Sequence, residues 1–168
     1  MLVSFSSSHL PVLFPAHTAW TTCPYVARDG QVNPDVRLLN APDAINSASQ
    51  SIFYNAVAYA LQKTSSYSNA AISFIDAFFL DPSTKMNPNM NFGQMVRGPG
   101  QAGQQGTFTG VLDLRGIVKI INGILILKAA GSPDWTTPRD QELATWMAQY
   151  TDWLRNSPLG KLASSRPK

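Results

Sequence analysis

The chain has 168 residues, 44% of them hydrophobic and 14% charged, a size and balance that fit one packed domain and exclude an intrinsically disordered chain. Thirteen Lys and Arg against ten Asp and Glu leave a net charge of +3, and no basic run with interleaved aromatics occurs, so nucleic acid is not an expected partner. Cys23 is the only cysteine, which excludes an internal disulfide and a cysteine-based zinc site; no metal or cofactor is expected, and no apolar run reaches the roughly 20 residues of a membrane span.

From Met1 to about Asn40 the chain is rich in Pro, Ser and short polar residues without a sustained period, so it is expected to be extended or irregular. Its apolar patch from Leu10 to Phe14 is interrupted by Pro11 and bounded by Pro15, and no Lys or Arg precedes it, which does not support a signal peptide. After Pro42, Ile45, Ala48, Ile52, Ala56, Tyr59 and Ala60 follow helical spacing, predicting a first helix that ends near Lys63, with Asn40 or Asp43 as its cap. Ser65, Ser66 and Ser68 break the pattern. Ala71, Phe74, Ile75, Phe78 and Phe79 resume it, predicting a short second helix stopped by Asp81-Pro82 and packed antiparallel to the first.

The segment from Pro82 to Gly110 holds six of the eleven glycines together with Asn87, Asn89 and Asn91. A structureless stretch of that length inside a compact domain is usually functional or disordered. Between Pro82 and Leu112 the only charges are Lys85 and Arg97, so the segment is cationic. Gly116 to Leu127 contains Asn122-Gly123, a strong hairpin signal, but its flanks do not alternate polar and apolar residues, and a buried helix is the better reading. Thr137, Pro138 and Asp140 open the last predicted helix, whose apolar stripe is Leu143, Trp146, Met147, Tyr150, Trp153 and Leu154. Large apolar groups at that spacing read as core rather than as a ligand platform.

Few motifs carry chemistry. Gly98-Pro-Gly-Gln-Ala-Gly103 matches the dinucleotide fingerprint in form, but a polar Asn-rich loop precedes it and no helix follows, so that reading is rejected. The histidines, His9 and His17, lie in the irregular arm without a nucleophile motif, which leaves a hydrolytic triad unsupported. Asp140 and Glu142 read as solvated residues of a helix start. Lys85, Asn87, Asn89, Gln94 and Arg97 remain, amides and cations along a Gly-rich loop that can bond sugar hydroxyls and carboxylates. The plain alternative is a solvated turn whose Asn residues tolerate unusual backbone angles.

Blocks running from Trp20 to Gly160 resolve that choice. Cys23-Pro-Tyr-Val-Ala-Arg-Asp-Gly-Gln-Val-Asn-Pro-Asp35, Phe78-Phe-Leu-Asp-Pro-Ser-Thr-Lys-Met-Asn-Pro-Asn-Met-Asn-Phe-Gly-Gln94, Arg97-Gly-Pro-Gly, Thr109-Gly-Val-Leu-Asp-Leu-Arg115 and Trp153-Leu-Arg-Asn-Ser-Pro-Leu-Gly160 occur in that order. Together they resemble the alginate lyase domain family, the (α/α)-toroid polysaccharide lyases. The resemblance implies an all-α fold: helical hairpins of an incomplete (α/α) toroid, with an irregular N-terminal arm and the long Gly/Asn-rich loop at the mouth of a sugar-binding cleft. It implies an arm over 1–19, a partial alginate-lyase-like helical domain over 20–160 and a basic tail over 161–168.

The family's reaction is β-elimination on uronate polymers such as alginate or glucuronan, so the implied partner is an acidic polysaccharide and the implied location extracellular. Lys85, Asn87, Asn89, Gln94 and Arg97 are carried over as substrate contacts. The family's Asn-Asn-His-Gly segment and catalytic Tyr have no counterpart here, and no position receives a catalytic role. The chain is therefore expected to be the N-terminal part of such a lyase, inactive alone. A helical module that binds acidic glycans without cutting them is the alternative, and a protein-interaction module a third reading.

Overall fold

A computed structural model describes residues 40–94 and 106–165; the arm, Arg97, both histidines and Cys23 lie outside the described residues. Among the described residues the structure is all-helical, with no strand. The order is α1 (Ala41–Gln62), α2 (Ser65–Ile75), a π-helical turn (Asp76–Leu80), a 3₁₀ helix (Phe108–Leu114), α3 (Ile117–Ala129), α4 (Thr137–Asn156) and α5 (Pro158–Ser165).

The buried face of α1 is the predicted stripe, Ile45, Ala48, Ile52, Ala56 and Tyr59, with Ser49 added. Neither Asn40 nor Thr64 caps its helix with a side-chain bond. The serines do not interrupt α2, which begins at Ser65. Ser68 is fully buried, and its hydroxyl bonds the Ser65 carbonyl at 3.0 Å and the Asp134 carboxylate, so a small polar residue is accommodated inside the helix. The link between α1 and α2 shrinks to Lys63 and Thr64. Lys63 turns the chain in the left-handed region, with φ 55°.

Pairings along the helices give their directions. Ala56 and Tyr59, late in α1, pack with Ala71 and Ile72 of α2, and Tyr67 from its first turn joins them. Ile45 and Ile52 join Ile75 and Phe79 at the other end, so α1 and α2 are antiparallel. Gly116 lies against Ser49, Gly123 against Ile52, and Leu127 clusters with Ala56 and Tyr59, which makes α3 parallel to α1. Contacts of Asp134 with Ser68, Arg139 with Asp76 and Trp146 with Phe79 likewise make α4 parallel to α2. Successive hairpins whose equivalent helices run in parallel are the repeat of an (α/α) toroid.

Asn122-Gly123 sits inside α3. A Cβ at Gly123 would lie 3.0 Å from Cγ2 of Ile52 and 3.3 Å from its carbonyl oxygen, so this glycine serves a close helix-to-helix approach rather than a hairpin turn. At α4 the residue before the first turn is Thr136, again without a side-chain bond, where Thr137 was expected. Asp140 is tied to Lys128 at 2.9 Å and to the Trp135 indole at 3.1 Å rather than being merely solvated. The stripe of α4 is core as expected: Leu143, Trp146 and Tyr150 are buried, and Met147, Trp153 and Leu154 pack against them. The 3₁₀ helix and the short α5 were not predicted; α5 continues past position 160.

Candidate functional site

The loop after the π-helical turn is built by local bonds. Asp81 accepts from Ser83 N at 2.8 Å and Ser83 Oγ at 2.7 Å, bonds that hold its carboxyl below the usual carboxylate range. Thr84 Oγ1 donates to the Ala77 carbonyl at 2.8 Å, and Met86 N to the Phe78 carbonyl at 2.9 Å. The loop is thereby folded back on the helix it leaves.

Two indoles of α4 then hold the next stretch. Trp146 Nε1 donates to the Met86 carbonyl at 2.8 Å, and Trp153 Nε1 to Asn91 Oδ1 at 2.8 Å. They stand two turns apart on one helix face, with Tyr150 stacked between them at 5.5 and 6.0 Å. Residues 87–90 are thus a span fixed at both ends by the helix that the sequence marks as core.

Glycines close the base of the loop. Gly106 N donates to the Asn91 carbonyl at 2.6 Å and Thr107 N to the Gly93 carbonyl at 3.0 Å. A Cβ on Gly110 would fall 2.2 Å from the Gly93 oxygen, and one on Gly93 2.8 Å from the Gly110 oxygen. The outgoing and returning chains therefore touch backbone to backbone, which no larger residue permits at either position.

Gln94, at φ 45°, is the hub beside this crossing. Its backbone N–H reaches Asp113 Oδ2 at 3.2 Å and its Nε2 reaches Asp113 Oδ1 at 3.0 Å. Thr109 Oγ1 donates to Gln94 Oε1 at 2.9 Å, and Thr107 Oγ1 lies 2.8 Å from Thr109 Oγ1. An ionised carboxylate only accepts, so Asp113 fixes which end of the Gln94 amide faces it. Thr107 Oγ1 also donates to the Gln94 backbone carbonyl at 3.3 Å.

Asn87, Asn89 and Gln94 line one pocket of about 330 Å³, whose other walls include Met86, Met90 and Phe92. Asp113 lines it too and is only 8% exposed. Lys85 does not join them. It lines a separate hollow of about 320 Å³ against α4, with Glu142 and Gln149. The predicted residues thus divide between two recesses that one loop helps to line, and Arg97 lies outside the described residues.

Asp113 and Phe92 also line this pocket and were not singled out from the sequence, although both stand in the blocks that carried the resemblance. A lone carboxylate between Leu112 and Leu114 was the available signal. Among the described residues no group of three His, Cys, Asp or Glu side chains is placed to hold a metal ion, and no helix is long and apolar enough to cross a membrane.

Comparison with known proteins agrees with this architecture. The alginate lyase family model matches residues 7–167. The crystal structure of an alginate lyase from Bacteroides ovatus superimposes with a TM-score of 0.71 at 27% sequence identity, over 82% of this chain and 35% of that one. The chain thus spans about a third of the length of that structure. No curated protein matched. With a family match over nearly its whole length and the same helical arrangement in a solved alginate lyase, this chain belongs to the alginate lyase family.

Proposed function

We propose that this chain forms one wall of the substrate cleft of a polysaccharide lyase that cleaves uronate-containing polysaccharides, of the alginate or glucuronan type, by β-elimination outside the cell. The observation that carries the reading is the amide-lined loop held rigidly between α4 and the glycine crossing, in a chain of this family. Lys85, Asn87, Asn89, Gln94 and Arg97 are the proposed substrate contacts. Lys85 and Asn87 are both exposed, and the Asn87 side chain makes no hydrogen bond among the described residues, so both are available to a polymer.

In the reaction, a base takes the C5 proton of the uronate, the C–H electrons form the C4–C5 double bond, and the C4–O bond breaks. Its oxygen leaves with a proton from an acid. The C5 proton is acidic only once the adjacent carboxylate is neutralised, which is the work that amides and cations do. In this reading the chain binds and orients the polymer, and the base and the acid come from another part of the fold. Tyr150 does not suit the acid's role, since it is buried between two indoles and burial pushes its hydroxyl above the usual phenol range.

The test mixes the full chain with alginate and with glucuronan, following the absorbance of unsaturated uronate and, in parallel, binding. Binding without new absorbance, weakened by Lys85→Ala and Asn87→Ala, is the expected outcome. New absorbance would place the base within this chain, and failure to bind either polymer would remove the cleft assignment.

A further inference from the structure

The pocket beside Gln94 has a chemistry that does not suit a carboxylate. Asp113 contributes a buried negative charge to its wall, receives two N–H bonds from Gln94, and has no Lys or Arg of the described residues at ion-pair distance. A second carboxylate brought beside it would be repelled, more strongly at this partly buried site than in open water. The same carboxylate is a strong acceptor for hydroxyl donors.

Apart from the amides of Asn87 and Asn89, the remaining walls are apolar. Met86, Met90 and Leu114 line the recess, and Phe92, 66% exposed, stands at it with its ring open to solvent. A large exposed aromatic beside amides and a carboxylate offers a flat apolar surface together with directional polar groups, the combination that a pyranose ring presents in complement: a C–H face and a hydroxyl edge. Gln94 adds a donor of known orientation. One of its two Nε2 hydrogens is spent on Asp113, and its oxygen is occupied by Thr109, so the end nearest Asp113 is the N–H end.

Resting on the cleft reading above, we infer that this pocket is a subsite for the hydroxyl edge of a pyranose unit. Phe92 underlies the ring, Asp113 accepts from a ring hydroxyl, and Gln94 donates to its neighbour. The negative charge of Asp113 turns the uronate carboxylate away from this pocket, toward the side of the loop where Lys85 stands. Thr109 and Asp113 are positioning residues for the amide, and Asp113 is also a ligand to the sugar.

The experiment titrates the full chain calorimetrically with a tetramer of whichever uronate polymer binds, and with its carboxyl-reduced counterpart: glucuronan with cellotetraose, or mannuronan with mannotetraose. Phe92→Ala and Asp113→Asn are expected to weaken both members of the pair about tenfold, equivalent to about 1.4 kcal/mol. Lys85→Ala is expected to weaken the charged tetramer alone. Phe92 is exposed, so its variant tests the pocket without risk to the fold, and circular dichroism checks the Asp113 variant. Unchanged uronate binding in Phe92→Ala, weakening confined to the charged tetramer, or no binding of the neutral tetramer would each overturn the subsite while leaving the cleft reading in place. No binding of either uronate polymer to the unaltered chain would overturn the cleft reading first, and this inference with it.

Discussion

The helical layer and the loop it carries are stabilised in opposite ways. Between α1, α2 and α3 the contact is apolar and collective: Ile52, Ala56, Ala71, Ile75, Ile120 and Leu127 are all fully buried. The loop from Pro82 to Gln94 and its return through Thr107 lay Met86 and Met90 against that core and are otherwise held by directional bonds, to Trp146, Trp153, Asp113 and Thr109. Loss of one methylene in the first region is shared by many neighbours, whereas loss of one donor in the second frees a segment. A loop held in this way can change without unfolding the layer beneath it.

The largest expected effect abolishes the distinction. Phe79 is 1% exposed and meets Trp146 edge to face at 4.9 Å, so it belongs to the core and also supports the indole that holds Met86. Phe79→Ala should cost about 3–5 kcal/mol in chemical denaturation and loosen loop and layer together. Gly110→Ala should sharpen the distinction instead. Its Cβ would stand 2.2 Å from a backbone oxygen, so the crossing must open, at about 1–3 kcal/mol. Helical circular dichroism should persist while polymer binding is lost.

Where the sequence was legible, an apolar period coincided with burial. The stripes of α1 and α4 were read from their spacing because burial alone produces that spacing. Ser65, Ser66 and Ser68 misled because serine ends helices when its hydroxyl competes for the backbone, and here Ser68 has a partner in Asp134, 66 residues away. Asn122-Gly123 gave a local turn signal that a tertiary demand, room for Ile52, overrode. The loop was singled out from its amides and glycines, but its supports were not. Trp146 and Trp153 were read as core, which they are, and their second task depends on acceptors 60 and 62 residues away that no local pattern encodes. The pairing of Gln94 with Asp113 was hidden for the same reason.

Trp153 offers a finer test of how separable the two regions are. Trp153→Phe keeps an aromatic ring stacked near Tyr150, where the present rings lie 6.0 Å apart at 14°, and removes only the N–H that Asn91 accepts. Because Asn91 is exposed, water replaces the donor, and the change in global stability should be no more than about 1 kcal/mol. Hydrogen exchange should nevertheless quicken at the amides of Gly93 and Gly106, which bond within the stretch that Asn91 anchors. Equal quickening throughout α4 would show that the loop and the layer open as one unit.

The smallest effect lies in the layer itself, at a polar contact that behaves like those of the loop. Asp140 takes a hydrogen bond from Lys128 and another from the Trp135 indole, and these hold its carboxyl below the usual carboxylate range. A carboxyl lowered in the folded state favours folding at every pH above its unfolded value, and that contribution disappears as pH falls through the folded value. Both partners are nearly half exposed, at 45% and 44%, so solvent screening limits the pair to less than about 1 kcal/mol. Asp140→Asn should therefore lower the denaturation midpoint slightly at pH 7, and the gap from the unaltered chain should close as acid is added below about pH 4. Asp81, whose carboxyl is also lowered, is present in both proteins and cancels from the difference. A gap that stayed constant into strong acid would mean that Asp140 acts through packing against Trp135 and not through its charge.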